Sequence, residues 1–515
     1  HNGDSSAYIK PRMDAGIQKL RGFLAFGRDK DDHAQAQALR TLLDSLGGKA
    51  PLEAIATLHS TYIPAVAHLG NLHLRFKQLE SILPEVERCL PVLETHVGKA
   101  HLPLDHGANQ AALVADNFLK SIATAYTGLT SSIEANKLDS VLGHLLQNAA
   151  RRSMQYLLRR QMLAYRAYAT PSSSSWLQMH RIYRHTRALR LAQGTGETQT
   201  VEQAYAAALL LAYADPNKFR RDEIDRVRSI IDELAPAAVI VEASSITDDQ
   251  AATPSRFFVR GDAGNAGFPL ARLLPETSRD GNFVLECRNV LTALERSLEP
   301  KPGDQGKRIE GPEAMLLALR SAFGGQMTRR FHRQRFKPKA ELVFGLPALI
   351  DFIDGQALAR RHEDVPARLP EVASSEWAIV DESPDGFRLR YHKGEQQQCQ
   401  AGDIVGLQQK GQSRVHLCLL RRIANIGQNR LEVGLQEIAS AAWVITLPIS
   451  RQKAIFIPKL PGHNGRPGLL MVPGSMPPGG QIVIDLPGSG PARFHAAFCL
   501  EGNAVMELHL LEALS

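Results

Sequence analysis

The sequence is poor in cysteine and in aromatic residues, and it has no long apolar run. Five of its 515 residues are cysteine and 6% are aromatic. No two cysteines form a CxxC pair or a zinc-like spacing with histidine, which argues against a zinc module and predicts reduced, mostly buried thiols. The longest apolar run, near Ala206–Ala214, is too short to cross a bilayer. The N-terminus lacks the charged segment and the apolar segment that together form a secretion signal. We therefore expect a cytoplasmic protein without membrane insertion.

Charge of one sign is not in large excess. The chain has 60 Lys and Arg against 53 Asp and Glu, which gives a net charge of +7. This balance permits an anionic ligand but lacks the dense basic face of a dedicated DNA-binding protein. The length predicts two to four domains.

The first 235 residues are predicted to be helical, as a bundle or as a set of helical hairpins, because apolar residues recur every three or four positions. Ser175 is expected to cap the helix that begins at Trp176, and His180 and His185 on that arginine-rich helix are expected to face solvent. The predicted helices are Ala54–Leu69, Leu74–Leu93, Ala111–Ile133, Leu142–Ala167, Trp176–Ala192, Val201–Ala214 and Lys218–Leu234.

Residues 236–325 are predicted to form a mixed α/β segment. Short β-branched and aromatic runs bounded by turn residues predict strands, and two amphipathic stretches predict helices. The strands are Ala238–Ala243, Arg256–Arg260 and Asn282–Cys287, and the helices are Asn289–Leu298 and Glu313–Phe323.

The rest of the chain is predicted to consist of strands and turns. Strands spaced by about ten to fifteen residues over 326–440 are typical of a small antiparallel barrel, and 441–515 form a further β-rich extension. The whole chain is therefore predicted to be a multidomain α+β protein. The predicted barrel strands are Lys339–Phe344, Trp377–Val380, Gly386–Tyr391, Asp403–Leu407, Val415–Arg422 and Arg430–Glu437.

Two short motifs stand in order in the barrel region. The first is RxxxR, formed by Arg329 and Arg333 with Arg330 between them, immediately before the first barrel strand. The second is DxSxxG, in which Asp381, Ser383 and Gly386 follow an apolar strand. RxxxR alone carries little information, because Arg256–Arg260 also satisfies it. The order of the motifs and the barrel-like strands around them give the pair its weight.

This pair of motifs resembles the signature of the PilZ family, whose members bind cyclic di-GMP on a six-stranded β-barrel. The resemblance covers about residues 326–440 and implies a C-terminal PilZ-like barrel. It also implies a bacterial second-messenger receptor, with outputs such as motility or biofilm formation. The chemistry agrees, since an arginine can hold a phosphate bidentately or stack on a purine.

The second motif fits the same ligand. Asp381 can accept hydrogen bonds from guanine N1–H and N2–H, and Ser383 offers a hydroxyl that donates or accepts. Gly386 permits a tight turn and a close backbone approach. The predicted ligand-binding residues are Arg329, Arg330, Arg333, Asp381, Ser383 and Gly386.

Two alternatives remain open at this stage. The stretch from Arg333 to Asp381 is longer than the resemblance implies, so it is predicted to hold an insertion, helical or a lid. It could also mark a degenerate barrel that serves as a scaffold and binds no nucleotide. The other alternative is a barrel for single-stranded nucleic acid, but the small number of aromatic residues argues against nucleic acid as a partner.

Enzymatic activity is not expected. The sequence has no GxSxG elbow, no phosphate-binding loop with its Lys-Ser/Thr, and no HExxH. No metal or cofactor is therefore predicted besides the ligand cyclic di-GMP. We expect a receptor or adaptor that re-orients its domains on binding and contacts an unidentified protein partner through the helical region.

Overall fold

The structure is a computed structural model that describes residues 31–131, 140–193, 199–247, 253–299, 312–324, 334–335, 339–361, 374–394, 399–410, 412, 414–426, 430–448, 450–486 and 490–514. Within these residues, the α-helices α1 to α13 are Asp31–Asp44, Pro51–Thr57, Ile63–Ala67, Leu72–Ser81, Leu83–Lys99, His106–Ser131, Ser140–Arg166, Ser173–Ala188, Val201–Ala214, Arg221–Leu234, Arg288–Leu298, Glu313–Phe323 and Leu346–Arg361. A π-helical turn, Leu58–Tyr62, joins α2 to α3. Among the helices in the described ranges, none is long and apolar enough to cross a membrane.

The strands belong to three antiparallel sheets. They are numbered β1 to β17 and are Val239–Glu242, Arg256–Val259, Phe268–Pro269, Phe283–Glu286, Gln334–Arg335, Lys339–Phe344, Ser375–Ser383, Gly386–Gly394, Ile404–Gln409, Val415–Asn425, Leu431–Ala439, Trp443–Thr446, Lys453–Ile457, Gly468–Met471, Gln481–Leu486, Gly490–Gly502 and Glu507–Ala513. In the described ranges, α1 to α10 precede the first strand and sheets dominate the C-terminal half, so the predicted multidomain α+β class is confirmed.

The helical region packs around α9. Ten of the fourteen residues of this helix are buried, because its sequence is apolar on every side, as is typical of a helix at the centre of a core. Thr200 and Gln203 begin the helix with a reciprocal capping box. The helix ends at Ala214, because its C-cap Asp215 has a φ of 52° and Pro216 follows directly. This end places the Asp215 carboxylate at the surface that meets the barrel.

Two predictions for α8 are wrong. Its cap is Ser172, whose Oγ accepts from the Ser175 amide, so the helix begins at Ser173 rather than at Trp176. His180 was expected to face solvent, but its exposed fraction is 0%. It stacks against Trp176 and bonds to the Tyr205 hydroxyl, because the helix lies between α9 and the following sheet.

The mixed segment packs against the same helical core. Its four strands have the order β1-β4-β2-β3, and Phe257 of β2 stacks on Tyr213 of α9 with ring centroids 3.9 Å apart. The predicted helix Glu313–Phe323 is confirmed residue for residue as α12. Arg256 and Arg260 also satisfy the RxxxR pattern. In the structure Arg256 pairs with Glu286, and Arg260 pairs with Asp262.

Strands β5 to β11 close into an antiparallel barrel. The order is β5-β7-β6-β9-β10-β11-β8, and a further pairing of β7 with β8 closes the ring. β5 and β6 pair with successive parts of β7, so they occupy one position around the barrel. Alternate side chains of β7 and β8 point inward, among them Trp377, Ile379 and Leu389.

Helix α13 is the insertion expected between the first two barrel strands. Its Leu346, Leu349 and Ile350 pack between the barrel and the C-terminal sheet, in one apolar cluster with residues of both. Gly406 of β9 leaves room for this helix, because a Cβ there would lie 2.5 Å from Leu349 Cδ1. The C-terminal sheet has the order β12-β13-β14-β17-β16-β15.

The helical region meets the barrel at β10 and at Asp403, the residue before β9. The Asn425 amide donates to the Tyr168 carbonyl at 2.8 Å. Two ion pairs cross the same boundary, Arg422 with Asp215 and Arg220 with Asp403. The thiol prediction is confirmed, since all five cysteines are free and four of them are buried.

Candidate ligand-binding face of the barrel

The DxSxxG motif forms the tight turn between β7 and β8. Ser383 and Gly386 are register partners at the ends of the two strands, and the Ser383 hydroxyl donates to the Gly386 carbonyl at 3.2 Å. Gly386 has a φ of +146°, and a Cβ there would lie 1.9 Å from the Leu435 carbonyl oxygen. Only glycine fits this position, because Gly386 is the register partner of Gln436 and its backbone lies directly against that of β11.

A β-bulge turns Asp381 to the outside of the barrel. Ile379 pairs with Leu389 and both face inward, but Asp381 pairs with Arg388, so Val380 is the extra residue. A bulge re-aims the side chains that follow it. Asp381 therefore faces outward beside Arg388, although its side chain is only 7% exposed.

The Asp381 carboxylate is held by Arg388. Arg388 donates from Nε at 2.7 Å and from Nη2 at 2.6 Å, both to Asp381 Oδ2. The Arg388 side chain is itself 45% exposed. The carboxylate of the pair is therefore buried, while the guanidinium remains accessible to solvent.

The first motif lies outside the described residues. Its residues Arg329, Arg330 and Arg333 are not among those that the structure describes. The next two residues of the chain form β5, in which Gln334 is the register partner of Glu382 and Arg335 that of Asp381. The chain that follows the first motif therefore runs alongside the second motif.

The outward side chains of β7, β8 and β11 form a polar surface, which we call the hairpin face. It comprises Asp381, Arg388, Arg390 and Glu432. Arg390 donates from Nη2 to Glu432 at 2.7 Å, and Arg388 Nη1 lies 3.8 Å from the same carboxylate. Acidic and basic groups alternate across the strands. The face therefore presents two half-exposed guanidinium groups, each paired with a less exposed carboxylate.

The hairpin face continues to the helical region through Arg422 of β10. Arg422 donates from Nε and Nη2 to the two carboxylate oxygens of Asp215, both at 3.1 Å. Burial would raise the pKa of Asp215, but its bonds to Arg422 and Lys218 outweigh burial and hold that pKa below its ordinary value. The carboxylate is therefore the charged partner of a bidentate pair.

Sequence reasoning did not identify Arg388 or Arg422. Arg388 follows Gly386 by two positions and alternates with the inward Phe387 and Leu389, so the strand period alone could have placed it outward. Arg422 gave no comparable signal, because its partner Asp215 lies 207 positions earlier in the chain.

Among the described motif residues, Asp381, Ser383 and Gly386 do not line the cavity at the far end of the barrel. That cavity has a volume of about 570 Å³ and is lined by Lys339, Glu376 and Lys393, among others. It lies at the end of the β7–β8 hairpin opposite the Ser383–Gly386 turn. Within the described part of the chain, no three His, Cys, Asp or Glu side chains gather as a metal site would require.

The closed six-position barrel and its Asp-Ser-Gly hairpin define the class of protein, a PilZ-domain protein. Residues 353–443 match the family model described as the middle PilZ domain of the cyclic-di-GMP receptor FimW, and residues 37–244 match the model of its N-terminal domain. The chain therefore belongs to the PilZ domain family, with an N-terminal helical region, as the motifs predicted. Arg329, Arg330 and Arg333 lie outside both matched ranges.

The chain is also similar to a named receptor protein. The chain is 22% identical over 480 residues to the cyclic-di-GMP receptor FimW of Pseudomonas aeruginosa, and the alignment covers 78% of this chain and 77% of that protein. The name of that relative describes it as a receptor. No solved structure matches the chain.

Proposed function

We propose that this protein is a non-catalytic receptor that binds cyclic di-GMP on the hairpin face. The register of β5 carries the proposal, since the two residues after Arg333 pair with Glu382 and Asp381. The chain directly after the first motif therefore runs beside the second motif at one edge of the barrel, which supports a ligand shared by the two motifs. The family of the chain and the name of its relative support the same ligand.

The three arginines of the first motif supply cations in this proposal. Arg329, Arg330 and Arg333 hold the phosphates of the ligand, because a guanidinium fork matches two phosphate oxygens. The same group stacks on a purine or bonds to guanine O6 and N7.

The hairpin supplies the second half of the site. Asp381 accepts from guanine N1–H and N2–H, Ser383 adds a hydroxyl, and Gly386 lets the ligand approach the turn. Because Arg388 donates to Asp381, we propose that it turns toward a ligand phosphate when guanine binds the carboxylate. The face then exchanges the ion pair between Arg388 and Asp381 for two charged contacts with the ligand, one from each of these side chains.

Binding is relayed by re-orientation of the barrel relative to the helical region. We assign residues 1–235 to a helical domain that contacts a protein partner, 236–325 to a mixed segment, 326–440 to the receptor barrel and 441–515 to a β-rich extension. The contacts of Asp403 and Arg422 with the helical region support this relay, because they join the barrel to the partner-binding domain directly.

Calorimetric titration of the full chain with cyclic di-GMP tests the proposal. Arg333→Ala and Asp381→Ala are each expected to weaken binding by about 2–5 kcal/mol, the usual cost of losing a desolvated charged contact. Arg260→Ala is the matched control, since it removes one arginine of the Arg256–Arg260 match to RxxxR and an exposed ion pair with Asp262. Equal affinity in all four proteins, or saturable binding of an oligonucleotide in place of the dinucleotide, would overturn the proposal.

A further inference from the structure

A row of three residues crosses the outside of the barrel from the hairpin face toward the helical region. Arg388 of β8 is the register partner of Gly434 of β11, and Gly434 is that of Arg422 of β10. Directly opposite residues of antiparallel strands point to the same face. The two arginines are therefore on one side of the sheet, with their Cα atoms about 10 Å apart across two strand spacings.

Gly434 leaves the space between the two arginines open. It has no side chain, and a Cβ built there would meet only Arg422 Cβ at 3.5 Å and Arg422 O at 3.9 Å. The side chains of Arg388 and Arg422 are 45% and 47% exposed. Solvent and a small anionic ligand can therefore reach both guanidinium groups. We call the surface over Arg388, Gly434 and Arg422 the strip.

Arg422 already binds an anionic group, the carboxylate of Asp215. Both of its bonds to Asp215 are 3.1 Å long, one to each carboxylate oxygen. A phosphate presents the same pair of acceptor oxygens to a guanidinium fork and carries a comparable charge. Asp215 therefore occupies the position that a ligand phosphate would take on the Arg422 side of the strip.

We infer that Arg422 is a further ligand-binding residue of this face, which exchanges the Asp215 carboxylate for a phosphate of the bound dinucleotide. This inference rests on the proposed function. Because Asp215 belongs to the helical region and Arg422 to the barrel, ligand and interdomain contact compete for one side chain. Such competition is reciprocal, so whatever strengthens the contact weakens ligand binding and the reverse.

The remaining contacts at the boundary do not take part in the exchange. Arg220 and Asp403 form a second ion pair, with both side chains only 14% exposed, and neither lies in the Arg388–Gly434–Arg422 row. The Asn425 amide keeps its bond to the Tyr168 carbonyl. Ligand binding therefore loosens the boundary at one end and leaves the other end joined.

Calorimetric titration of the full chain with cyclic di-GMP tests the exchange. Asp215→Asn is expected to bind cyclic di-GMP about two- to five-fold more tightly, because it removes the carboxylate that competes for Arg422. The size of the effect is that of the free energy of a partly exposed ion pair. Asparagine keeps the shape of the side chain and tolerates the left-handed backbone at this position. Arg422→Ala is expected to bind about ten-fold more weakly, and Arg422→Lys, which loses the fork, to lie between it and the unaltered protein.

Two matched controls separate the exchange from general effects. Asp403→Asn breaks the other interdomain ion pair and is expected to leave affinity within two-fold. Arg421→Ala removes the same charge one residue away, where the side chain bonds to Gln436 and Glu501, and is also expected to bind normally. If Asp403→Asn tightened binding as much as Asp215→Asn, or Arg421→Ala weakened it as much as Arg422→Ala, the inference would be wrong.

The results also distinguish this inference from the function on which it rests. Binding by the unaltered protein, lost in Arg333→Ala but unchanged in Asp215→Asn and Arg422→Ala, would keep the receptor and discard the exchange. No binding by the unaltered protein would discard both. Thermal unfolding of each variant checks that a loss of affinity is not a loss of fold.

Discussion

Arg388 reaches across the β7–β8 hairpin to Asp381, with 2.7 Å between Arg388 Nε and Asp381 Oδ2. The carboxylate is almost buried, so this bond compensates much of the cost of taking its charge out of water. The pair also ties the second motif to the strand that carries the outward arginines. One interaction thus serves both the stability of the hairpin and the shape of the face on which we place the ligand.

We predict that Arg388→Ala destabilises the protein by about 1–3 kcal/mol, because it removes a charged partner from a buried carboxylate. Arg390→Ala is the control, since Arg390 pairs with Glu432 at a more exposed site and its loss is expected to cost less than about 1 kcal/mol. Urea unfolding followed by circular dichroism measures both. Equal costs for the two variants would contradict the anchoring role of Arg388.

We predict that Gly386→Ala is strongly destabilising, by about 2 kcal/mol or more. Its φ of +146° disfavours any side chain, and the added Cβ would lie 1.9 Å from the Leu435 carbonyl oxygen. Gly143→Ala is the contrast, because it lies within α7 with no atom near the added Cβ and is expected to stabilise the helix by about 0.5–1 kcal/mol. A shift of both melting temperatures in the same direction would contradict this reading of the turn.

Local patterns predicted most of the fold. Helix Glu313–Phe323 and strand Lys339–Phe344 begin and end where their apolar periods and turn residues place them. The cap at Ser172 was missed because four serines in a row each offer the same hydroxyl, and only the path of the preceding chain selects one. The burial of His180 was missed because it depends on Trp176 and Tyr205, whose arrangement is tertiary.

The candidate site was predictable only in part. The DxSxxG residues carry their own turn signal, so Ser383 and Gly386 could be placed from sequence. The role of Arg388 depends on the bulge at Val380, which decides whether Asp381 faces it or faces inward. The role of Arg422 depends on a contact with Asp215, which lies 207 positions away. The periodicity of the local sequence cannot predict a contact over that separation.

We predict a loss of stability on mild acidification that depends on His180. Burial lowers the pKa of His180 below 6.5, although its bond to the Asn265 carbonyl acts in the other direction. Since Nε2–H donates to that carbonyl, Nδ1 accepts from the Tyr205 hydroxyl and the ring is neutral. The unfolded chain takes up the proton first as pH falls through 6.5, so the contribution of the neutral ring is complete above this pH and decreases below it.

The measurement is urea unfolding at pH 7.5 and pH 5.5. The unaltered protein is expected to lose about 1 kcal/mol more than His180→Gln between the two conditions. Glutamine can still donate and accept, so the variant is expected to fold at the higher pH. An identical pH dependence in both proteins would show that His180 does not titrate as its burial requires.

The final prediction concerns the insertion, whose helix α13 joins the barrel to the C-terminal sheet. Leu349 is fully buried in the apolar cluster that both share, so Leu349→Ala is expected to cost about 2–5 kcal/mol. Gly406→Ala is expected to cost about 1–3 kcal/mol by overpacking, because its Cβ would lie 2.5 Å from Leu349 Cδ1. Leu317→Ala, on the outside of α12 and 38% exposed, is the control and is expected to change stability by less than about 1 kcal/mol.

The two changes at the helix are expected to compensate each other in the double variant. Shortening Leu349 removes the atom that a Cβ at position 406 would strike, and the added methyl group fills part of the space that Leu349→Ala leaves. The free energy of unfolding of the double variant should therefore exceed the additive expectation by about 0.5–3 kcal/mol. Strict additivity would mean that the helix and β9 do not touch at this point in solution, and that another contact holds the insertion between the two β-structures.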